Sequence, residues 1–174
     1  WLYNHGAAED ISRTNNFDYT PILFACYGGH LSVCEWLYKV GADEDISRAH
    51  NYGETPMLLA CCEGHLSVCE WLYKVGAEED ISRADNDGNT PMLLACMEGH
   101  LSVCEWLYTM GATEDISKTE NGSFTPMHLV SLNIMNLDPS KIASIRGWLV
   151  LKGALLPTPD GHTDPNIIRR DLPS

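Results

Sequence analysis

The chain has 174 residues, with 24 acidic against 11 basic side chains and a formal net charge of −13. Phosphate binding needs a basic footprint, so this charge argues against nucleic acid, and it disfavours an anionic membrane surface for the same reason. No apolar run approaches the ~20 residues of a membrane span, and the longest are helix-sized fragments such as Pro91 to Met97. A basic protein partner, or solubility alone, accounts for the acidity.

Trp1 to Asn4 reads as the tail of a helix, and the chain beyond it repeats itself. Thr20-Pro21, Thr55-Pro56, Thr90-Pro91 and Thr125-Pro126 are each 35 residues apart (55−20, 90−55, 125−90). The run Gly-His-Leu-Ser-Val-Cys-Glu-Trp-Leu-Tyr begins at Gly29, Gly64 and Gly99. A period of this size marks a stacked array in which each unit buries its apolar face against its neighbours.

Residues 53–77 show how one unit is built. Thr55 is a good N-cap and Pro56 sits at the first helical position, where its missing N–H costs nothing. Met57, Leu58, Ala60 and Cys61 then have the spacing of a short buried helix ending near Glu63. Gly64 breaks it, and a second helix is predicted from about Leu66 to Lys74, closed by Gly76 in a left-handed conformation. Ala77 to Asn89 is polar and turn-rich, with Asp85-Asn86-Asp87-Gly88 supplying a tight turn.

These residues resemble the ankyrin repeat: Thr55 to Cys61, Gly64-His65, Val68 to Tyr73, Gly76-Ala77 and the turn at Asn86 to Gly88. Thr125-Pro126-Met127-His128 restores a histidine that the other copies replace with Leu23, Leu58 and Leu93. The resemblance implies an all-α solenoid of stacked helix-turn-helix units with projecting hairpin-like loops. It covers residues 1–155: a partial repeat at 1–19, repeats at 20–54, 55–89 and 90–124, and a divergent capping repeat at 125–155. The period of 35 exceeds the family's usual ~33. The extra residues fall at Glu44 to Ser47 and Glu79 to Ser82, with Ile11, Ile46, Ile81 and Ile116 expected to tuck inward.

The two ends differ. The opening at Trp1 falls in mid-repeat, so the chain is expected to be part of a longer array. At the other end Trp148 lies 42 residues after Trp106 (148−106), seven beyond the period. Asp138-Pro139 should start a helix running to about Lys152 and closed by Gly153. Residues 156–174 form an irregular tail expected to pack on the last repeat, with one short turn of helix between Asp164 and Arg170.

Function is sought where the copies disagree. Residues 43–77 and 78–112 differ at seven of 35 positions. One is Asp43/Glu78, and the others are His50/Asp85, Tyr52/Asp87, Glu54/Asn89, Cys62/Met97, Lys74/Thr109 and Val75/Met110. Alternation at 50, 52 and 54 is the pattern of one free face of an extended loop. In the family that resemblance implies, loop tips and the exposed side of the first helix form a concave face that grips proteins. The expected partner-binding residues are therefore Phe17, Tyr19, Tyr27, Tyr52, Glu54, Glu63, Asp87, Asn89, Met97, Glu98, Phe124 and Leu132, with Cys62 and Asn133 beside them. Aromatic and Met side chains are common interface anchors, and the carboxylates suit Lys or Arg. Near-copies also drift at unconstrained surface positions, so the variation admits a neutral reading as well.

Three recurring signals have structural explanations. His30, His65 and His100 lack a partner nucleophile, and the resemblance implies a bridge between loops, with the ring bonded to backbone. Six of seven cysteines follow the repeat in pairs eight residues apart, as small buried hydrophobes of a reducing, intracellular compartment. Neither their spacing nor the acidic ladder Glu9-Asp10, Glu44-Asp45, Glu79-Asp80 and Glu114-Asp115 fits a zinc or calcium site. Surface ion pairs between adjacent loops, with Arg13, Arg48, Arg83 and Lys118, are expected instead. Trp36, Trp71, Trp106 and Trp148 form a packing stripe. The expectation is a monomeric, non-enzymatic module without cofactor or metal that binds a protein or peptide bearing basic and apolar residues. The alternatives are a structural spacer or segment of a longer array, and an enzyme using the His/Cys ladder, which would need bound metal.

Overall fold

A computed structural model describes residues 10–118, 124–132 and 136–154. The expectations for Trp1 to Asn4, Asn133 and the tail at 156–174 lie outside the described residues. Among those described, eight α-helices form four antiparallel pairs: α1 (Pro21–Tyr27) with α2 (Leu31–Lys39), α3 (Pro56–Cys62) with α4 (Leu66–Val75), α5 (Pro91–Met97) with α6 (Leu101–Met110), and α7 (Pro126–Leu132) with α8 (Pro139–Leu151). The architecture is the all-α repeat solenoid that the 35-residue period predicts.

Each first helix starts for the reason read from its sequence. Thr20, Thr55 and Thr90 accept through Oγ1 from the amides of Leu23, Leu58 and Leu93 at 3.2–3.3 Å, with Pro at the first helical position. Losing such a cap costs about 1 kcal/mol. Asp138 caps α8 in the same manner through the Ser140 amide at 2.8 Å. Gly76 and Gly111 close α4 and α6 at φ 119°, where a Cβ would be strained.

The core runs the length of the stack. Met57, Leu58, Ala60, Cys61, Val68, Cys69 and Leu72 are almost wholly buried, and so are their counterparts 35 residues on. First helices pack on one another more extensively than second helices do. Small Ala and Cys side chains permit that close approach. On the opposite side Tyr38, Tyr73 and Tyr108 meet Trp71, Trp106 and Trp148 edge-on at 5.8–6.0 Å. Each contact joins one repeat to the next. Trp36, at the corresponding position of the first described repeat, is 46% exposed.

The two extra residues per repeat have a definite structure. They wind into 3₁₀ turns at Asp43–Ser47, Glu78–Ser82 and Glu114–Ser117. Ile46, Ile81 and Ile116 are buried as anchors, whereas Ile11 is only partly covered. The expected hairpins are tight turns, and no β-strand occurs among the described residues.

The acidic ladder is a correction. Asp45, Asp80 and Asp115 are at most 4% exposed, whereas Asp10, Glu44, Glu79 and Glu114 are exposed, so the ladder is only in part a surface feature. Each pairs within its own turn, with Arg48, Arg83 or Lys118 three residues on, at 3.4, 3.3 and 2.5 Å. The 3₁₀ turn causes this, because it brings residues i and i+3 to one side. Only the Arg83 guanidinium, of these cations, has a described bond to the adjacent loop, donating to the Ser47 carbonyl at 3.0 Å.

Candidate functional site

The side of the array lined by first helices carries the loop tips, and those tips are built on one plan with three different residues. At the head of each turn a side chain accepts from the amide two residues on: Asn15 Oδ1 from Phe17 (2.9 Å), His50 Nδ1 from Tyr52 (3.1 Å) and Asp85 Oδ1 from Asp87 (2.9 Å). Beneath, the backbone closes identically, with Asn15, His50 and Asp85 amides donating to Tyr19, Glu54 and Asn89 carbonyls at 3.1–3.2 Å. Adjacent tips are linked by the Asn51 amide to Phe17 O, and by the Asn86 amide and side chain to Tyr52 O and Asn51 O.

This geometry corrects the reading of positions 50, 52 and 54 as one free face. His50 is 4% exposed, and its Nε2 lies 2.6 Å from Glu54 Oε2. Asn89 likewise returns its side-chain N–H to Asp85 Oδ2 at 2.8 Å while its amide donates to Oδ1. Positions 50 and 54 therefore change together, as a closing pair. Glu54, Asn89 and Tyr19 are partly covered side chains already engaged inside or between loops.

The remaining expected residues separate by exposure. Phe17 (57%), Tyr27 (48%), Tyr52 (61%) and Leu132 (57%) are the open apolar members, with Phe124 less so. Asp87 and Glu63 are exposed, while Met97 and Glu98 are partly covered. Phe24, 52% exposed, belongs with them and was missed, because the comparison of residues 43–77 with 78–112 leaves out the repeat that carries it. The available signal was Phe24 standing where Leu59 and Leu94 are buried.

Charge is concentrated at the middle of this surface. Burial, followed by the carboxylates of Glu98, Glu63 and Glu54, pushes the Cys62 thiol up to about 12. Glu98 itself lies above the usual carboxylate range through burial and then Glu63. No Lys or Arg occurs in residues 14–38, 49–73 or 84–117. The cations sit in the 3₁₀ turns, at the ends of second helices, in α8 and in the tail.

The recurring histidines and cysteines belong to the scaffold. The ring of His65 bonds the Tyr27 carbonyl at 3.0 Å, and His100 makes the matching backbone contact with Cys62. Burial, then Lys141, lowers the His100 pKa. A Cβ on Gly64 would meet the His100 ring at 2.3 Å, at a φ of 76° that already disfavours L side chains. Cys26–Cys34, Cys61–Cys69 and Cys96–Cys104 are sulfur contacts of 3.5–3.6 Å within the core. Burial holds the Cys61 thiol well above its usual range, which keeps it protonated and a poor nucleophile. Among the described residues no group of three His, Cys, Asp or Glu is placed to hold a metal ion. No described helix is long and apolar enough to cross a membrane.

A family model described as ankyrin repeats (three copies) matches residues 1–85 and residues 46–120. A comparison with curated proteins returned no match.

Proposed function

Because the chain belongs to the ankyrin-repeat family, whose repeats are in general protein–protein interaction modules, we propose that it binds a partner protein through its concave, first-helix side and performs no catalysis. The observation that carries this reading is the distribution of difference between repeats. Scaffold positions are the same from copy to copy and are buried or bonded. Phe17/Tyr52/Asp87 at the tips and Tyr27/Cys62/Met97/Leu132 at the first-helix ends form two varying rows along one side, while Lys74/Thr109 and Val75/Met110 vary at the second-helix ends.

A stack already held by its own core and loop ladder loses little freedom on binding, so contact energy is not spent on ordering it. The open Tyr and Phe side chains supply anchors, and the carboxylates around Cys62 favour a partner bearing basic residues. Six thiols packed as apolar side chains support a reducing, intracellular compartment.

The test joins binding to stability. A photo-crosslinker placed at Tyr27 should capture a partner, identified by mass spectrometry, and the purified partner should bind Tyr27→Ala/Tyr52→Ala about tenfold or more weakly. The melting temperature of the double variant should stay close to that of the parent. Undiminished binding by the double variant would remove the concave-face reading.

A further inference from the structure

The first junction carries more aromatic surface than its fold requires. Tyr19 lies tilted against Phe24 at 5.0 Å and against His50 at 4.2 Å, and His50 meets Tyr52 edge-on at 5.5 Å. The outer rings of this row are open to solvent, with Tyr52 61% and Phe24 52% exposed. At the second junction the positions of Tyr19, His50 and Tyr52 are taken by Glu54, Asp85 and Asp87, and the turn closes with the same backbone bonds. Aromatic rings are therefore not needed to make the turn.

Glu54 borders the row, and Glu63 lies beyond it, near Cys62. Glu54 spends one oxygen on His50 and keeps the other, and Glu63 is exposed on the adjoining helix end. His50 accepts from the Tyr52 amide through Nδ1, and its Nε2 faces the Glu54 carboxylate at 2.6 Å. The electrostatic neighbours that raise the Tyr19 phenol, after burial itself, are Glu54, Tyr27 and Tyr52, so these groups converge on one place. No Lys or Arg of residues 14–38 or 49–73 is available to neutralise it.

Ring faces and a free carboxylate edge attract the same kind of group, a flat delocalised cation. A guanidinium can lie over a ring while its N–H fork meets a carboxylate, whereas an ammonium is a strongly hydrated point charge without a face to stack. We infer that the Tyr19–His50–Tyr52 row, with Glu54 and Glu63, is a subsite for an arginine side chain of an extended peptide segment. The peptide, rather than a free cation, is indicated by the continuation of the surface: Met97, Phe124 and Leu132 extend it over two further repeats, more than one residue covers. The inference rests on the concave-face reading and narrows it.

The probe is a short capped peptide with one arginine flanked by leucine and serine, paired with a twin in which citrulline keeps the shape and removes the charge. Binding to the full chain is monitored by amide and tyrosine-ring NMR shifts. The arginine peptide should shift Tyr52, Gly53 and Glu63 saturably, with the citrulline twin about tenfold weaker, the size expected of a stacked and paired cation. Tyr52→Ala and Glu63→Gln, both at exposed positions, should each weaken the arginine peptide and leave the twin unchanged. Equal binding of both peptides to this face would overturn the arginine subsite and leave the concave-face reading intact. Saturable shifts confined to other surfaces, or none at the highest soluble peptide concentration, would overturn the subsite too. In that event the crosslinking experiment at Tyr27 judges the broader reading independently.

Discussion

The loop at residues 50–54 and the loop at residues 85–89 share a backbone and differ in what fills it. Both turn on a glycine, Gly53 and Gly88, whose amides donate to the His50 and Asp85 carbonyls at 2.9 and 3.1 Å. One loop is closed by an imidazole against a glutamate, the other by a carboxylate against an asparagine. The imidazole brings an aromatic neighbourhood with it, and the carboxylate brings a wholly polar one. Differences between repeats thus come in two kinds: exchanges that must be made in pairs because the loop interior joins them, and exchanges at open positions that only an outside molecule would sense. The second kind bears on binding directly, whereas the first bears on it only through what the closed loop leaves open, such as the remaining carboxylate oxygen of Glu54.

Mixing the two closing pairs should have the largest effect. His50→Asp alone puts a carboxylate against Glu54, and Glu54→Asn alone removes the acceptor facing a buried imidazole. Each should cost about 1–2 kcal/mol in urea denaturation, whereas the double variant recreates the pair of the next repeat and should recover most of it, a coupling of about 1–2 kcal/mol. Additive losses would show that the two positions vary independently and that position 50/54 belongs with the open surface after all.

A smaller effect separates the base of the loop, common to both, from its tip. Burial raises the Asp80 pKa, with Ser47 and Arg83 only partly opposing it. Above the raised folded-state value the ionised carboxylate opposes folding, and the folded protein binds this proton more tightly than the unfolded chain. Asp80 therefore disfavours the folded state at neutral pH, and that disadvantage is relieved as pH falls through the folded value toward 3.8, the usual one. Relative to Asp80→Asn, the parent should gain stability on acidification across that window. The check is the difference between the two denaturation midpoints at neutral pH and near pH 4. A difference that moves the other way would mean that Arg83, not burial, governs the group.

The balance of what could be read from sequence obeys the same division. Helix starts at Thr-Pro, the left-handed Gly76 and the inward Ile46 and Ile81 were legible because each is a local signal repeated in register, and the Asp138 cap because Asp-Pro is a strong helix start on its own. The pairing of Asp80 with Arg83 was misplaced because the 3₁₀ turn that joins them is created by two residues beyond the family's usual period. The His50–Glu54 closure was missed for a different reason. Alternation along a strand-like stretch looks like a free face, and only the folded turn reveals that positions 50 and 54 point at each other. Phe24 escaped because the compared copies leave out its repeat, and in those copies the position is a buried Leu.

The smallest stability effect belongs to the open tips, and it is the sharpest discriminator of the two kinds of difference. Tyr52→Asp gives the first loop the tip residue of the second, Asp87, without touching the His50–Glu54 pair. Tyr52 is 61% exposed and its ring contact with His50 is edge-on at 5.5 Å, so little burial is lost. Stability should change by less than about 0.5 kcal/mol, the ordinary range for surface substitutions. Binding of the crosslinked partner should nonetheless fall, because the exchange replaces an open anchor ring with a charge at the outer end of the aromatic row. A loss of stability comparable to that of His50→Asp would place Tyr52 inside the loop's own packing and leave the tips without a free aromatic surface to offer.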